Sequence, residues 1–348
     1  MNKIFTKYWF IFLLLFIEGA ALMVVELMGA KLLAPFYGGS LYVWTAVLSI
    51  TLLGLTFGYY FGGHISKKRS NEKILVLIIS VSALLVFAIP YTSSMVISLS
   101  SNMGLIAGVC IASFLIIVPP MLLFGMIGPL VVRFLTHKVD TVGKVAGSVY
   151  FTSTTGGIVA TFLFGFYLIP ELGLKFASTI TSIALAFVVV VFFIKKATSE
   201  PVSSIENKQV ELKSEKRPKS KKSQKTGTLK KSVYLFAALE GAAVMAVELL
   251  AARMLAPYFG ASLYVWGAVI GITLFSLALG YYFGGRLSDK YTKLTTINWV
   301  LLLASVFLMF MHVTSQSLTL TFNNAPMMLA VVVISVLLIV PALLLLGM

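Results

Sequence analysis

Residues 18–63 and 240–285 are two versions of one sequence, set a constant 222 positions apart and identical at about 30 of 46 aligned positions. The first reads from Glu18-Gly19-Ala20-Ala21 to Gly58-Tyr59-Tyr60-Phe61-Gly62-Gly63. The second reads from Glu240-Gly241-Ala242-Ala243 to Gly280-Tyr281-Tyr282-Phe283-Gly284-Gly285. The offset also carries Pro119 onto Pro341 and Gly125-Met126 onto Gly347-Met348. A chain with such a repeat is built from two similar units, and the repeat has to be settled before any other reading of the fold.

Each copy is made of apolar stretches long enough to cross a bilayer, which takes roughly 20 residues. Six stretches fall at about 8–35, 41–63, 74–98, 104–135, 145–169 and 174–194. Four more fall at about 233–257, 263–285, 296–316 and 325–348. Of all residues 59% are hydrophobic, 11% are charged, and the mean hydropathy is +0.99. A water-soluble protein of this length must turn more polar surface outward, so a soluble enzyme is excluded. The first stretch is not a cleaved leader. It is too long, it carries Glu18 and Glu26, and it recurs later in the chain.

The expected fold is an all-α polytopic membrane protein of about ten spans. Residues 1–195 form a first repeat of six helices, 196–231 a basic cytoplasmic linker, and 232–348 a second repeat of four helices. Six is an even number, so both copies enter the membrane from the same side. That is a parallel six-plus-six repeat of the major facilitator type, with its second repeat truncated. The second copy stops at the counterpart of Met126. This points to a fragment or an interrupted reading frame rather than a protein naturally cut short.

Charge sets the expected orientation. The formal net charge is +15, and 12 Lys/Arg against 4 Asp/Glu lie between Lys195 and Lys231. Lys3, Lys7, Lys67, Lys68, Arg69, Lys73, Arg133, Lys138, Lys144, Arg286, Lys290 and Lys293 fall on the same side in a ten-span layout. Basic loops beside spans mark the cytoplasmic side. The N-terminus and linker are therefore expected in the cytoplasm, with the chain in the cell's inner (plasma) membrane. This placement leaves no case for nucleic-acid binding. The linker is Lys/Ser-rich and too polar to build a core, and Lys216–Lys225 suits anionic lipid heads.

Of twelve acidic residues, only Glu18, Glu26, Glu240 and Glu248 lie inside predicted spans, at identical places in the two copies. A charge at mid-membrane costs roughly 2.5–3.5 kcal/mol, so such residues face a bundle interior or an aqueous cavity. Glu18 is about 15 Å into its helix, and a pseudo-axis between the copies would bring Glu18 and Glu240 toward each other. The four glutamates are candidates for a substrate or proton site. The alternative is purely structural hydrogen bonding between helices. Lys31 and Arg253 are equivalent cations, either ion-pair partners or snorkelling interfacial residues. Each first helix is expected to stop at Ala34-Pro35 or Ala256-Pro257, followed by a glycine turn. Tyr42, Trp44, Tyr264 and Trp266 suit either an aromatic belt or a lining that attracts a cation through ring faces. Pro119-Pro120 and Pro341 are expected to break or kink their helices. The run Thr152–Gly157 reads as a small polar packing face.

No metal or cofactor site is expected. Cys110 is single, and His64, His137 and His312 are scattered.

The run Glu-Gly-Ala-Ala…Glu-Leu…Leu-Ala-Pro…Ser-Leu-Tyr-Val-Trp…Gly-Tyr-Tyr-Phe-Gly-Gly resembles the membrane domain of fused major-facilitator-like/spermidine synthase proteins. Gly143–Tyr150 and Gly165–Gly173 resemble that domain's later helices. Ser288-Asp289-Lys290 is similar to the loop after the second helix of major facilitator carriers, with Lys67 replacing the Asp in the first copy. In that family a soluble aminopropyltransferase often follows the membrane part. Here no Gly-rich loop follows a strand, so no enzymatic activity is expected of residues 1–348. The resemblance implies a carrier of polyamines or related organic cations. Its alternative is a non-transporting module that anchors or feeds a spermidine-synthase-like aminopropyltransferase.

Overall fold

The computed structural model describes residues 9–68, 72–136, 142–198, 231–290, 294–322 and 325–348. The N-terminal lysines, Arg69, Lys138 and almost the whole basic linker lie outside the described residues. Within them the chain is helical, with no strand.

The first copy contains α1 (Trp9–Tyr37), α2 (Leu41–Lys68), α3 (Glu72–Ser100), α4 (Leu105–Leu135), α5 (Val142–Leu163) and α6 (Gly173–Thr198). The second contains α7 (Lys231–Phe259), α8 (Leu263–Lys290), α9 (Leu294–Thr321) and α10 (Met327–Leu346). Among the described residues nine helical stretches are long and apolar enough to cross a membrane. One of them, Val145–Ile194, has 50 residues. At 1.5 Å per residue it would be about 75 Å long if straight, over twice a bilayer's apolar core. It is not straight. α5 passes into a π-helical segment, Phe164–Leu172, and Gly173 then takes φ +80°. From there α6 runs back. Ser178, near its start, donates to the Val86 carbonyl of α3 at 2.8 Å, and Phe192, near its end, packs edge-on to Phe10 at the start of α1. The sequence suggests a loop here; a helical hinge takes its place. Pro170, with no N–H to give, loosens the helix to the wider π turn.

Two ends of the bundle are distinguished below. The turn face carries the α1–α2 and α7–α8 turns, and the linker face is the opposite one. Pro35 and Pro257 do not stop their helices, contrary to expectation. Each helix runs two residues further, to Tyr37 and Phe259. The stop is made by Gly38 (φ +84°) and Gly260 (φ +77°), whose N–H groups donate to Ala34 and Ala256 carbonyls at 2.9 Å. A left-handed glycine closes a helix because it has no Cβ to clash. Gly38→Ala is therefore expected to lower stability by about 1 kcal/mol. Open space surrounds Gly38, so any loss seen in thermal unfolding reports backbone strain alone.

Pro119, Pro120 and Pro341 do not break their helices either. α4 and α10 run through them. Close packing against a neighbour holds the helix in register, as membrane interiors allow. The packing is made by glycines. A Cβ at Gly58 would lie 2.7 Å from Gly125 Cα, and one at Gly62 would lie 2.7 Å from Met126 Cα. At the repeat offset, a Cβ at Gly280 would lie 2.8 Å from Gly347 Cα, and one at Gly284 would lie 2.7 Å from Met348 Cα. The same helix pair is thus built twice by the same small residues.

The copies meet chiefly along α5 and α8. Phe162 fills the space over Gly271, Phe166 stacks obliquely on Tyr264 (5.8 Å), and Phe151 lies 5.7 Å from Tyr282. On α2 the counterparts of Leu274 and Tyr282 are Leu52 and Tyr60, which are exposed. Exposed phenylalanines and leucines continue around the bundle. An all-helical bundle wrapped in apolar side chains satisfies its backbone internally and faces lipid outside. This is a helical membrane protein.

Candidate functional site

The four intramembrane glutamates fall into two layers, because Glu18 and Glu26 are eight residues, or about 12 Å, apart along α1. The layer nearer the linker face holds Glu18 and Glu240. Glu18 is 5% exposed and accepts a hydrogen bond from Ser153 Oγ of α5 at 2.9 Å. That bond exists because Gly19 and Gly156 let α1 and α5 touch backbone to backbone. Three tyrosines join this layer. Tyr59 lies within electrostatic reach of Glu18, Tyr150 and Tyr281, and Tyr281 lies within reach of Glu240 and Tyr150. Tyr59 remains 44% exposed and Tyr150 36% exposed, so both rings reach the surface of the bundle. Glu240 is half-buried. This carboxyl is more open than that of Glu18.

The layer nearer the turn face holds Glu26 and Glu248, each 5% exposed. These two lie within electrostatic reach of each other. The sequence suggests that Glu18 and Glu240 approach each other across the axis; Glu26 and Glu248 are a second equivalent pair, within electrostatic reach of each other. Thr51 of α2 places its hydroxyl against the Glu26 carboxyl without closing a hydrogen bond of good geometry.

Closer still to the turn face, Trp44 and Trp266 stack on each other, with centroids 4.7 Å apart and planes at 12°. They are 4% and 2% exposed. The belt reading therefore does not hold for these two rings, which sit inside the bundle on the line where the copies meet. A belt residue faces lipid; these rings find more apolar surface in each other. Tyr42 is 66% exposed. Above the stack is a cavity of about 270 Å³, lined by Lys31, Ala34, Trp44, Pro170, Ser262 and Tyr264. Lys31 and Arg253 are both exposed. Each lies five residues, about 140° around the helix, from its buried glutamate, so the two kinds of residue point apart.

Among the described residues no cluster of three or more His, Cys, Asp or Glu is arranged to hold a metal ion. Sequence reading missed Ser153 as a partner of Glu18, although it lies in the small polar run of α5. It also missed Tyr59 and Tyr281. Their signal was the repeated Gly-Tyr-Tyr-Phe-Gly-Gly, which reads as packing until the tyrosines are seen beside the glutamates.

Compared with models of known protein families and with curated protein sequences, the chain matches none.

Proposed function

We propose that this protein is a membrane carrier for organic cations of the polyamine kind. The observation that carries the proposal is the layer that holds two equivalent carboxyls, Glu18 and Glu240, with Tyr59, Tyr150 and Tyr281 between them, read here as a cargo cleft. An ammonium group and a carboxylate compensate each other away from water, and ring faces attract cations. A cargo with two or more amines, spaced along a flexible chain, can engage both glutamates at once. The basic linker face is cytoplasmic by the positive-inside rule, in the plasma membrane, and the turn face is external. The two copies are halves of a major-facilitator-like repeat that rock about the cleft, with the α5–α8 contact as the pivot. The resemblance to the membrane domain of spermidine-synthase fusions agrees with this cargo.

The test is uptake of radiolabelled spermidine by proteoliposomes holding the full chain. Glu18→Gln keeps the shape and the Ser153 contact but removes the charge. It is expected to cut flux at least tenfold, about 1.4 kcal/mol or more in the binding or translocation step, with expression unchanged. Undiminished flux in Glu18→Gln would overturn the assignment.

A further inference from the structure

Threonines in these helices return their hydroxyl to a carbonyl one turn back. The buried Thr161, Thr181 and Thr319 and the half-buried Thr152 and Thr155 all do so at 2.7–2.8 Å. Among the described residues four buried hydroxyls close no hydrogen bond of good geometry: Thr51, which lies against the Glu26 carboxyl, and Ser113, Thr273 and Ser335. They are not scattered. Thr273 is Thr51 moved by the repeat offset of 222, and Ser335 is Ser113 moved by the same offset. Both copies leave the same hydroxyls open. An unmet hydroxyl in an apolar interior is costly, and the same cost taken twice at matched positions points to a use.

The position of the threonines says what the use is. Thr51 lies seven residues beyond Trp44 on α2, and Thr273 lies seven beyond Trp266 on α8. Seven residues are two helical turns, so each threonine shares the face of its tryptophan. Trp44 and Trp266 are in contact. Thr51 and Thr273 therefore face the same seam, about 10 Å deeper. Thr51 adjoins Glu26, and Glu26 and Glu248 are within reach of each other in this layer. Two buried carboxyls and the Thr51 hydroxyl thus lie below the stacked indoles, and helical spacing puts the Thr273 hydroxyl on the same face.

We propose that Glu26, Glu248, Thr51 and Thr273 form a site for a sodium-like monovalent cation, occluded beneath the Trp44–Trp266 stack. Carboxylate and hydroxyl oxygens are hard donors that suit hard cations. The α-helices are unbroken at this level, so the site offers side-chain oxygens and no freed carbonyls. Dehydration cost grows with the square of the charge, and a single charge is balanced when one carboxyl is ionised and the other stays protonated, the second carboxyl and the two hydroxyls then giving neutral oxygens. Mg²⁺ would keep several waters, for which a seam closed by Trp44 and Trp266 has little room. The site is separate from the Glu18–Glu240 cleft by one layer, and its occupancy is readable without any cargo.

The experiment is thermal unfolding of the purified full chain in NaCl, KCl, choline chloride and CaCl₂ at matched ionic strength, with ²²Na⁺ equilibrium binding beside it. Saturating NaCl is expected to raise the midpoint by roughly 5 °C over choline, with one ion bound per chain. Thr51→Val with Thr273→Val keeps the side-chain shape and should abolish both the shift and the binding. Thr51→Ser with Thr273→Ser should retain them, and so should Ser113→Ala, which removes an open hydroxyl elsewhere. Equal midpoints in all four salts, stabilisation by Ca²⁺ without Na⁺, or sodium binding that survives the double valine change would each overturn the proposal. Loss of spermidine flux in Glu18→Gln together with unaltered sodium binding would separate this layer from the cargo cleft.

Discussion

Gly19→Ala is expected to destabilise the protein by about 3 kcal/mol, while Gly241→Ala, the same position in the second copy, leaves stability unchanged or raises it by about 0.5 kcal/mol. A Cβ at Gly19 would run into the Ser153 carbonyl and Oγ, and the reciprocal Cβ at Gly156 would run into the Phe16 carbonyl. Backbone atoms cannot swing aside as a side-chain tip can, so α1 and α5 must separate. Separation also strips Glu18 of the Ser153 hydrogen bond and leaves a buried carboxyl to find another partner. Around Gly241 there is open space within 4 Å, so a methyl group there meets nothing and favours the helix. Detergent-solubilised midpoints for the two variants measure this contrast. Equal effects would show that α1 and α5 are not in backbone contact.

The second large effect is expected at the seam. Trp44→Ala and Trp266→Ala should each cost about 3–5 kcal/mol, the range for truncating a buried aromatic. Their effects should fall short of additive by about 1 kcal/mol, because each loses the other's ring face. Trp44→Phe retains a stacking face and should recover more than half of the loss. A double-mutant cycle on purified protein reads the coupling directly. Strict additivity would mean that the rings do not touch. The same stack closes the seam toward the 270 Å³ cavity, so its removal should also speed modification of a cysteine placed at Thr51 by an aqueous thiol reagent.

The helices and the layers were legible in the chain to different degrees. Long apolar runs marked the ten long helices among the described residues, since span length follows from bilayer thickness and needs no tertiary partner. Their ends were less legible. Pro35 looked like the stop, but a proline near a helix C-terminus deletes only one hydrogen bond, and Gly38 and Gly260 with positive φ make the turn. Pro119 and Pro341 suggested a break or a kink; α4 and α10 run through them unbroken, held by the glycine contacts of Gly58 and Gly280. The four glutamates stood out because charge is expensive in lipid. Their partners did not, because serine, threonine and tyrosine are cheap enough in a membrane to appear anywhere.

By itself, then, the sequence determined that the chain is a bundle of membrane helices with a 222-residue internal repeat, and that its only intramembrane acids come in equivalent pairs. Hydrophobic length and repeat spacing are properties of the chain taken one segment at a time. Tertiary structure decided which equivalents meet. Trp44 and Trp266 stack and Glu26 lies within electrostatic reach of Glu248, whereas Glu18 turns to Ser153 and the tyrosines. The reason is geometric. Which face of a helix reaches the seam depends on rotations of about 100° per residue and on backbone approaches set by single glycines, and neither is fixed until the helices pack.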